Sequence, residues 1–511
     1  MRTISIVTQV EKGSANKALS QVSVFIGTKG IRTDINGYGL VTVSKTVTYP
    51  IKVSYPGYVS VQDTLLPGND TTITIVLKEI KLYQTNKITV NADRNTVYGT
   101  ATQQIKVISS KELDEHRGQT LGESLNGQLG ITTIQTGSSI SKPVLRGLHS
   151  QRLLISNAGI AQEGQQWGAE HAPEIDILSI GSIQILKGAA GVEYGPGAMG
   201  GMIKVEPPIM LDTVGLKGAI SSNLMSNNRQ GSLSALLDGA TPLYNGVLSL
   251  QVQGSVRKAG DMKAASYVLG NTAFSEQNAF ISASYTHIDG IILKSRFTTF
   301  TSELGIFKGS HISNLSDLLL AIERGKPLKE YDFSYAIANP KQNIAHDLWA
   351  NSLSIPISEH IYTEIMHGWQ FNDRKEFDAH NLRIPNDSVI ALNSALSLPA
   401  MKLQLVTQSL DIKLKIQQPL HNITSTIGCS FQDQNNVRSG KVVLIPDYTS
   451  LNIGSYLLAN YIDKSMIYNV GVRYDKKNID VPAFSTPTRK IQDTSLFFNG
   501  FSGAAGALWQ Y

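Results

Sequence analysis

From about residue 215 onward the chain alternates between apolar and polar positions. "LSLQVQGSV" (248–256) sets Leu248, Leu250 and Val252 on one face and Ser249, Gln251 and Gln253 on the other. "ISASYT" (281–286), "KLQL" (402–405) and "DIKLKIQ" (411–417) keep the same period, with Lys413 and Lys415 facing away from Ile412, Leu414 and Ile416. In "YNVGVRYD" (468–475), Tyr468, Val470, Val472 and Tyr474 oppose Asn469, Arg473 and Asp475. A period of two is that of a β-strand. Two architectures share it: a sandwich with solvated outer faces, and a membrane barrel whose wall turns apolar residues to lipid and polar ones inward. The pattern lasts for about 300 residues without a helical layer, and many strands reach the length of a membrane-spanning strand. Scale therefore favours the barrel. One connection, 303–345, is long and carries its own helix, "NLSDLLLAIERG", which reads as capped near Ser313 and ended by Gly325.

The pattern differs upstream. Residues 1–80 read as short strands with closely spaced turns: "VSVFIG", "GLVTVS", "IKVSYPGYVSV" and "TTITIVL", with "DINGYG" (34–39) as the clearest turn. This predicts a small β-sandwich. The order T-D-I-N-G-Y-G…V-S-Y-P-G-Y resembles the carboxypeptidase-regulatory-like domain, a transthyretin-like sandwich without catalytic residues. Residues 81–100 are a polar tether around one apolar segment. Residues 101–210 mix elements into an α+β globule. Ser109 and Glu112, then Thr120 and Glu123, are spaced as capping boxes. The strands "ITTIQ", "KPVLRGL", "RLLISNAGI" and "SIQILKG" follow.

Composition narrows the function classes. A chain of 511 residues needs two or more cores. No run of 18 apolar residues suits a membrane helix, which leaves a barrel open. A net charge of +5 without a basic block argues against nucleic acid as a partner. The single cysteine, Cys429, excludes an intramolecular disulfide and reads as a packed bystander thiol. "MRTISIVTQVEKG" lacks the apolar run of a signal peptide. No HExxH, GxSxG or paired His/Cys cluster occurs, so the chain is expected not to be an enzyme and to need no cofactor.

"ILKGAAGVEYGPGAMGGMIKV" (185–205) carries the sharpest signal. Six of the fourteen residues from Gly188 to Gly201 are glycine. A phosphate cradle needs Gly-Lys-Ser/Thr or a following helix. Here Gly200-Gly201-Met202 leads into another strand instead, so strand, glycine turn, strand is the local reading. With "VLRG" (144–147) and "RLLISNAG" (152–159), the stretch resembles the plug domain of TonB-dependent outer-membrane receptors. Asn157-Ala158-Gly159 stands where that family usually has Asp-Gly, a change that keeps a turn. The order sandwich, tether, plug and barrel is common in receptors of the Bacteroidetes type.

The resemblance implies a division into 1–80 sandwich, 81–100 linker with a Ton box, 101–210 plug and 211–511 barrel. It implies a mainly β, outer-membrane protein: a transthyretin-like sandwich, an α+β plug and an antiparallel transmembrane β-barrel. The plug signature is then Arg146, Gly147, Lys187, Gly188, Tyr194, Gly195, Gly200 and Gly201. Lys187, Glu193 and Arg146 are expected to face charges on the barrel wall, and the glycines to let strands and turns crowd inside the lumen. "KITVNA", that is Lys87, Ile88, Thr89, Val90, Asn91 and Ala92, stands where a Ton box would add as a strand to TonB in the periplasm. Function is then energised uptake of a scarce ligand, a siderophore or metal chelate first, with cobalamin and oligosaccharide open. A non-transporting surface receptor or adhesin on the same scaffold is the alternative. "QEGQQWGAEHAPEID" (162–176) is the expected ligand segment, with Gln165, Gln166, Trp167, Glu170 and His171 as contacts, and Trp167 exposed for stacking. Glu174 and Asp176, with His346, His367 and His380 from the wall, are further candidates for a metal or chelate.

Such receptors close with about 22 strands. The residues after 208 supply too few for that number with connections, so the expectation is an open, incomplete meander in a chain lacking both ends.

Overall fold

The computed structural model describes residues 2–78, 104–378 and 399–509, apart from 13–14, 28, 56–57, 59, 69–71, 138, 169, 188–190, 311, 313, 419–420, 441, 464 and 486–489. Two compact units divide near residue 85.

The N-terminal unit is a sandwich of two four-stranded sheets. Its central strand is Arg2–Lys12. It pairs antiparallel with Tyr38–Val43 and parallel with Thr72–Leu77. Lys29–Arg32, Ser23–Ile26, Tyr49–Ser54 and Val61–Leu65 form the second sheet in that order. Alternate residues meet between the sheets: Ile4, Ile6, Val24, Ile26, Val41, Val53 and Leu77 are all buried. The Asp34 carboxylate accepts from the Asn36 and Tyr38 amides at 2.9 and 2.8 Å, which closes the "DINGYG" turn.

The second unit holds the α+β globule and the alternating strands. The globule has a five-stranded sheet in the order Ile160–Ala161, Leu154–Asn157, Met202–Glu206, Ser182–Lys187, Gln104–Ile108. A separate hairpin joins Ile131–Gln135 to Ser141–Leu145. Both capping boxes form, at Ser109–Glu112 before helix Ser110–Asp114 and at Thr120–Glu123 before helix Leu121–Leu125. Leu113, Leu121 and Leu125 pack with Ile155, Ile183, Ile185 and Ile203 in one core. The Asn157 turn survives its alanine, with Ala158 at φ +50 and Gly159 at φ +84.

Twelve long antiparallel strands follow: β1 (Gly215–Met225), β2 (Gln230–Leu243), β3 (Gly246–Ala259), β4 (Phe274–His287), β5 (Ile292–Gly305), β6 (Lys341–Ser358), β7 (Ile361–Phe377), β8 (Met401–Gln418), β9 (Ile423–Ser439), β10 (Tyr448–Asp463), β11 (Met466–Val481) and β12 (Thr494–Trp509). They pair in chain order, and no pairing joins β1 to β12 among the described residues. At one end the turns are tight, as at Tyr244–Asn245 and Glu359–His360. At the other end the connections are long: 306–340, 378–400 and 482–493. The helix in 306–340 is capped by Asn314, one residue beyond the expected Ser313, and Gly325 ends it at φ +65.

Exposure along these strands decides between the two architectures. Leu250, Val252 and Val256 are 47, 48 and 50% exposed, whereas Gln251, Gln253 and Arg257 are 1, 3 and 4% exposed. Apolar side chains face out and polar ones are buried against the globule. That is the inverse of a water-soluble sheet and the arrangement of a barrel wall in lipid. Cys429 lies on the same outward side as Ile427 and Phe431 and is exposed. It is therefore not the packed thiol expected, because its strand turns odd-numbered residues outward.

Candidate functional site: the plug seat

The globule meets the polar face of the wall through a series of buried side chains. On β7 the inward positions of "WQFNDRKEF" (369–377) are Gln370, Asn372, Arg374 and Glu376. Arg374 is fully buried and donates to Glu174 at 2.5 Å and to Gln342 at 2.7 Å. His346 Nδ1 lies 3.1 Å from the other Glu174 oxygen, which Asn372 also reaches. His171 Nε2 lies 2.7 Å from Glu376, and Gln342 donates to the Glu170 carbonyl at 3.4 Å. Gln370 donates to the Ala161 carbonyl at 2.8 Å.

Two flanking groups complete the seat. Toward β3 and β4, Ser255 donates to Asp176 at 2.7 Å, and Arg257 pairs with Glu276 at 2.9 Å while donating to the Gly118 carbonyl at 3.1 Å. Toward β8–β11, Lys413 pairs with Glu193 at 3.0 Å, Gln432 donates to Glu163 at 3.0 Å, and Arg473 donates to the Glu193 carbonyl at 3.2 Å. The lysine that alternation turns inward at 413 thus finds its counter-charge in the globule.

Burial and charge set the ionisation of the globule's side of the seat. Burial opposes ionisation of Glu174, but Arg374 and His346 outweigh it and hold the carboxyl below its ordinary value. Glu193 behaves likewise, with Lys413 outweighing burial. Burial raises Asp176 despite Ser255, the Leu178 amide and nearby arginines. Burial and then Arg374 lower His171, against the pull of Glu376 and Glu174. The same two causes lower Lys142 to about 8, while its ammonium donates to the Gly168 carbonyl at 2.8 Å.

Segment 162–176 sits at the end of the wall that carries the long connections, because its partners Gln342 and Glu376 lie at strand ends there. Gln165 and His171 are buried. Gln166 accepts from the Gly164 amide at 2.8 Å and donates to Glu163 at 2.5 Å. Trp167 is half-buried rather than exposed, edge-on to His171 with ring centroids 6.0 Å apart. Glu170 is half-buried. Among the described residues no three His, Cys, Asp or Glu side chains converge as metal ligands. Glu174, His171 and His346 are engaged in the seat, Asp176 is held by Ser255, and His367 lies on the opposite strand face, 3.3 Å from Asn351. His380, Gly188 and Lys87–Ala92 lie outside the described residues.

The glycine-rich stretch works mostly within the globule. A side chain at Gly201, at φ +126, would come within 2.5 Å of the Leu186 carbonyl, and one at Gly200 within 2.8 Å of the Arg152 carbonyl. Gly195, at φ +94, lies against the Arg473 guanidinium instead. Lys187 departs from expectation: it is buried and donates to the Leu129 carbonyl at 2.6 Å, inside the globule and not to the wall. Arg146 and Gly147 form a tight turn at φ +50 and +80, with the Arg146 amide donating to Gly130 at 2.8 Å. Tyr194 is half-buried, its ring 5.6 Å from the Lys413 ammonium, and burial pushes its hydroxyl up to about 12. Sequence reasoning missed Arg374, Arg257 and Glu163. The one available signal was their place on the polar side of alternating strands or beside a glycine turn.

Residues 99–202 match the model of the TonB-dependent Receptor Plug Domain. The fold is similar to that of the ferric citrate transporter FecA in its unliganded form (TM-score 0.60, 13% identity, 82% of this chain and 62% of that one). It is also similar to the ferric-catecholate import receptor Fiu from E. coli K12 in its open form (TM-score 0.61, 14% identity, 81% and 68%). The ferric yersiniabactin uptake receptor FyuA from Yersinia pestis matches with a TM-score of 0.55 and 14% identity over 79% of this chain and 62% of that one. The chain thus spans less than two thirds of the length of FecA and FyuA. The chain thus carries a TonB-dependent receptor plug domain, seated on the polar face of a sheet with the fold of these receptors' walls.

Proposed function

We propose that the protein takes up a scarce ligand across the outer membrane, driven by TonB. The observation that carries this reading is the plug seat itself. Salt bridges and hydrogen bonds hold the globule on the polar face of the wall, so passage requires a pull that breaks them. Residues 81–100 are the tether for that pull, with Lys87–Ala92 as the Ton box that adds to a TonB sheet. The ligand we favour is a siderophore or metal chelate, since the similar solved structures include ferric citrate, ferric-catecholate and ferric yersiniabactin receptors. Trp167, Gln166 and Glu170 are the contacts, with Gln165 and His171 behind them. Trp167, Gln166 and Glu170 lie at the end of the plug nearest the long connections and remain partly accessible. Residues 1–80 act as a separate module upstream of the tether.

Ile88→Pro tests the proposal. Proline removes one backbone donor and distorts the strand that TonB would pair with. Energised uptake in cells should be abolished while ligand binding to the purified full-length protein persists. Uptake at the normal rate would defeat the TonB reading and favour a non-transporting surface receptor. Equal loss of binding and uptake would make the segment structural.

A further inference from the structure

Two histidines cross the plug–wall boundary in opposite senses. His171 on the plug meets Glu376 on β7, and His346 on β6 meets Glu174 on the plug. Their side chains are 8 and 2% exposed. Each ring uses one nitrogen for a carboxylate: Nε2 in His171 and Nδ1 in His346. The other nitrogen, Nδ1 of His171 and Nε2 of His346, is buried and has no partner among the described residues.

A neutral imidazole fits this arrangement. It donates one N–H to the carboxylate and leaves a bare nitrogen in the buried site. Protonation adds a second N–H that meets no acceptor, and an unsatisfied buried donor is unfavourable. It also adds positive charge beside Arg374, with Lys142 close by on the plug hairpin. The charged and titratable groups around the pair are therefore Glu174, Glu376, Arg374 and Lys142, with Glu170 in the same plug segment; Gln342 and Asn372 are neutral.

We propose that His171, the plug's half of this crossed pair, is a proton-sensitive latch, which holds the plug in the wall at neutral pH and loosens it on acidification. The proposal rests on the uptake reading for its purpose, since it concerns the seat that TonB must break. The linkage sign follows from His171, which is held below its ordinary value of 6.5. A released plug binds protons from about pH 6.5 downward, before the seated one does. Seating is thus complete above that value and weakens as pH falls through it. Glu174 and Glu193 are lowered, so their contribution is lost only below the ordinary carboxylate range. Asp176 and Glu163 are raised by burial and act in the opposite direction. A comparison with a non-titrating variant separates His171 from these acids.

The test is hydrogen exchange of residues 154–206 in full-length protein in outer-membrane vesicles, without TonB, corrected for intrinsic rates. Protection of the wild type should fall by about tenfold or more between about pH 7.5 and about pH 5.5. In the His171→Gln variant the amide donates to Glu376 without titrating, and the fall should largely disappear. Unchanged protection in the wild type, or a wild-type slope in the variant, overturns the latch. If the variant does not assemble, the wild-type midpoint decides: below the ordinary imidazole value of about 6.5 but above the ordinary carboxylate range it assigns His171, and within or below that range it assigns carboxylates and defeats the proposal. Because the readout omits TonB and transport, a failed latch leaves the uptake reading standing. A failed Ile88→Pro test leaves the latch standing.

Discussion

At the scale of single residues, Glu174 is the most committed group of the seat. Its carboxylate serves Arg374, His346 and Asn372 at once, and all four side chains are buried. Removing one partner of such a cluster leaves the other charge without compensation, which costs far more than the net worth of the pair. Glu174→Ala is expected to weaken plug seating by about 3–5 kcal/mol. Urea-dependent opening of the full-length protein in a planar bilayer would show it as conductance at lower denaturant. Glu193→Ala should cost less, because the Glu193 and Lys413 side chains are 31 and 20% exposed and water screens that pair. Equal shifts for the two variants would mean that burial does not set the hierarchy of the seat.

Among the elements, the end of the glycine turn is packed closely against the strands it joins. Ser182–Lys187 pairs with Met202–Glu206, which also pairs with Leu154–Asn157. The chain must return between these strands without width to spare, and Gly201 occupies the closest approach. Gly201→Ala combines an unfavourable φ with a contact to backbone that cannot move aside. It should destabilise the plug by about 1–3 kcal/mol or more, seen as earlier loss of exchange protection in 182–206 while the barrel strands keep theirs. A neutral outcome would show that the sheet shifts to admit the methyl group. The capping boxes are the opposite case: Ser109–Glu112 and Thr120–Glu123 close within four residues, so local sequence alone sets them.

On the scale of the whole molecule, the wall has an apolar exterior and a polar interior facing the plug. Leu457 on β10 and Val472 on β11 are directly paired and face out, 47 and 55% exposed. Leu457→Arg places a charge on the lipid side and should cost about 2–4 kcal/mol near the membrane midplane. Assembly of the full-length protein into the outer membrane, followed by heat-modifiable mobility on a gel, measures it. Unaltered assembly would put this stretch of wall outside the lipid. The long connections gather at one end with segment 162–176, the end at which the proposed uptake would have a ligand first meet the plug.

Legibility in the sequence followed the range of the interactions. The strand period of the wall, the capping boxes, the Asn157 turn and the glycine turn were readable, because each depends on residues a few positions apart. So was the inward placement of Lys413, since alternation fixes which face a side chain takes. Which partner it meets was not readable: Glu193 lies 220 positions away. The same holds for Glu174 with Arg374, separated by 200 positions, and for His171 with Glu376, separated by 205. Alternation alone also left open whether the apolar face meets lipid or a second sheet; only the burial of the polar face against the plug decided it. Lys187 is the instructive error, because a lysine beside a signature motif suggested a wall contact, whereas the nearest buried acceptor was the carbonyl of Leu129. The sequence by itself therefore determined the elements and the faces they present, through local sterics and periodicity. The tertiary structure decided which buried charges are neutralised and by whom, because that depends on chain segments that only folding brings within hydrogen-bond distance.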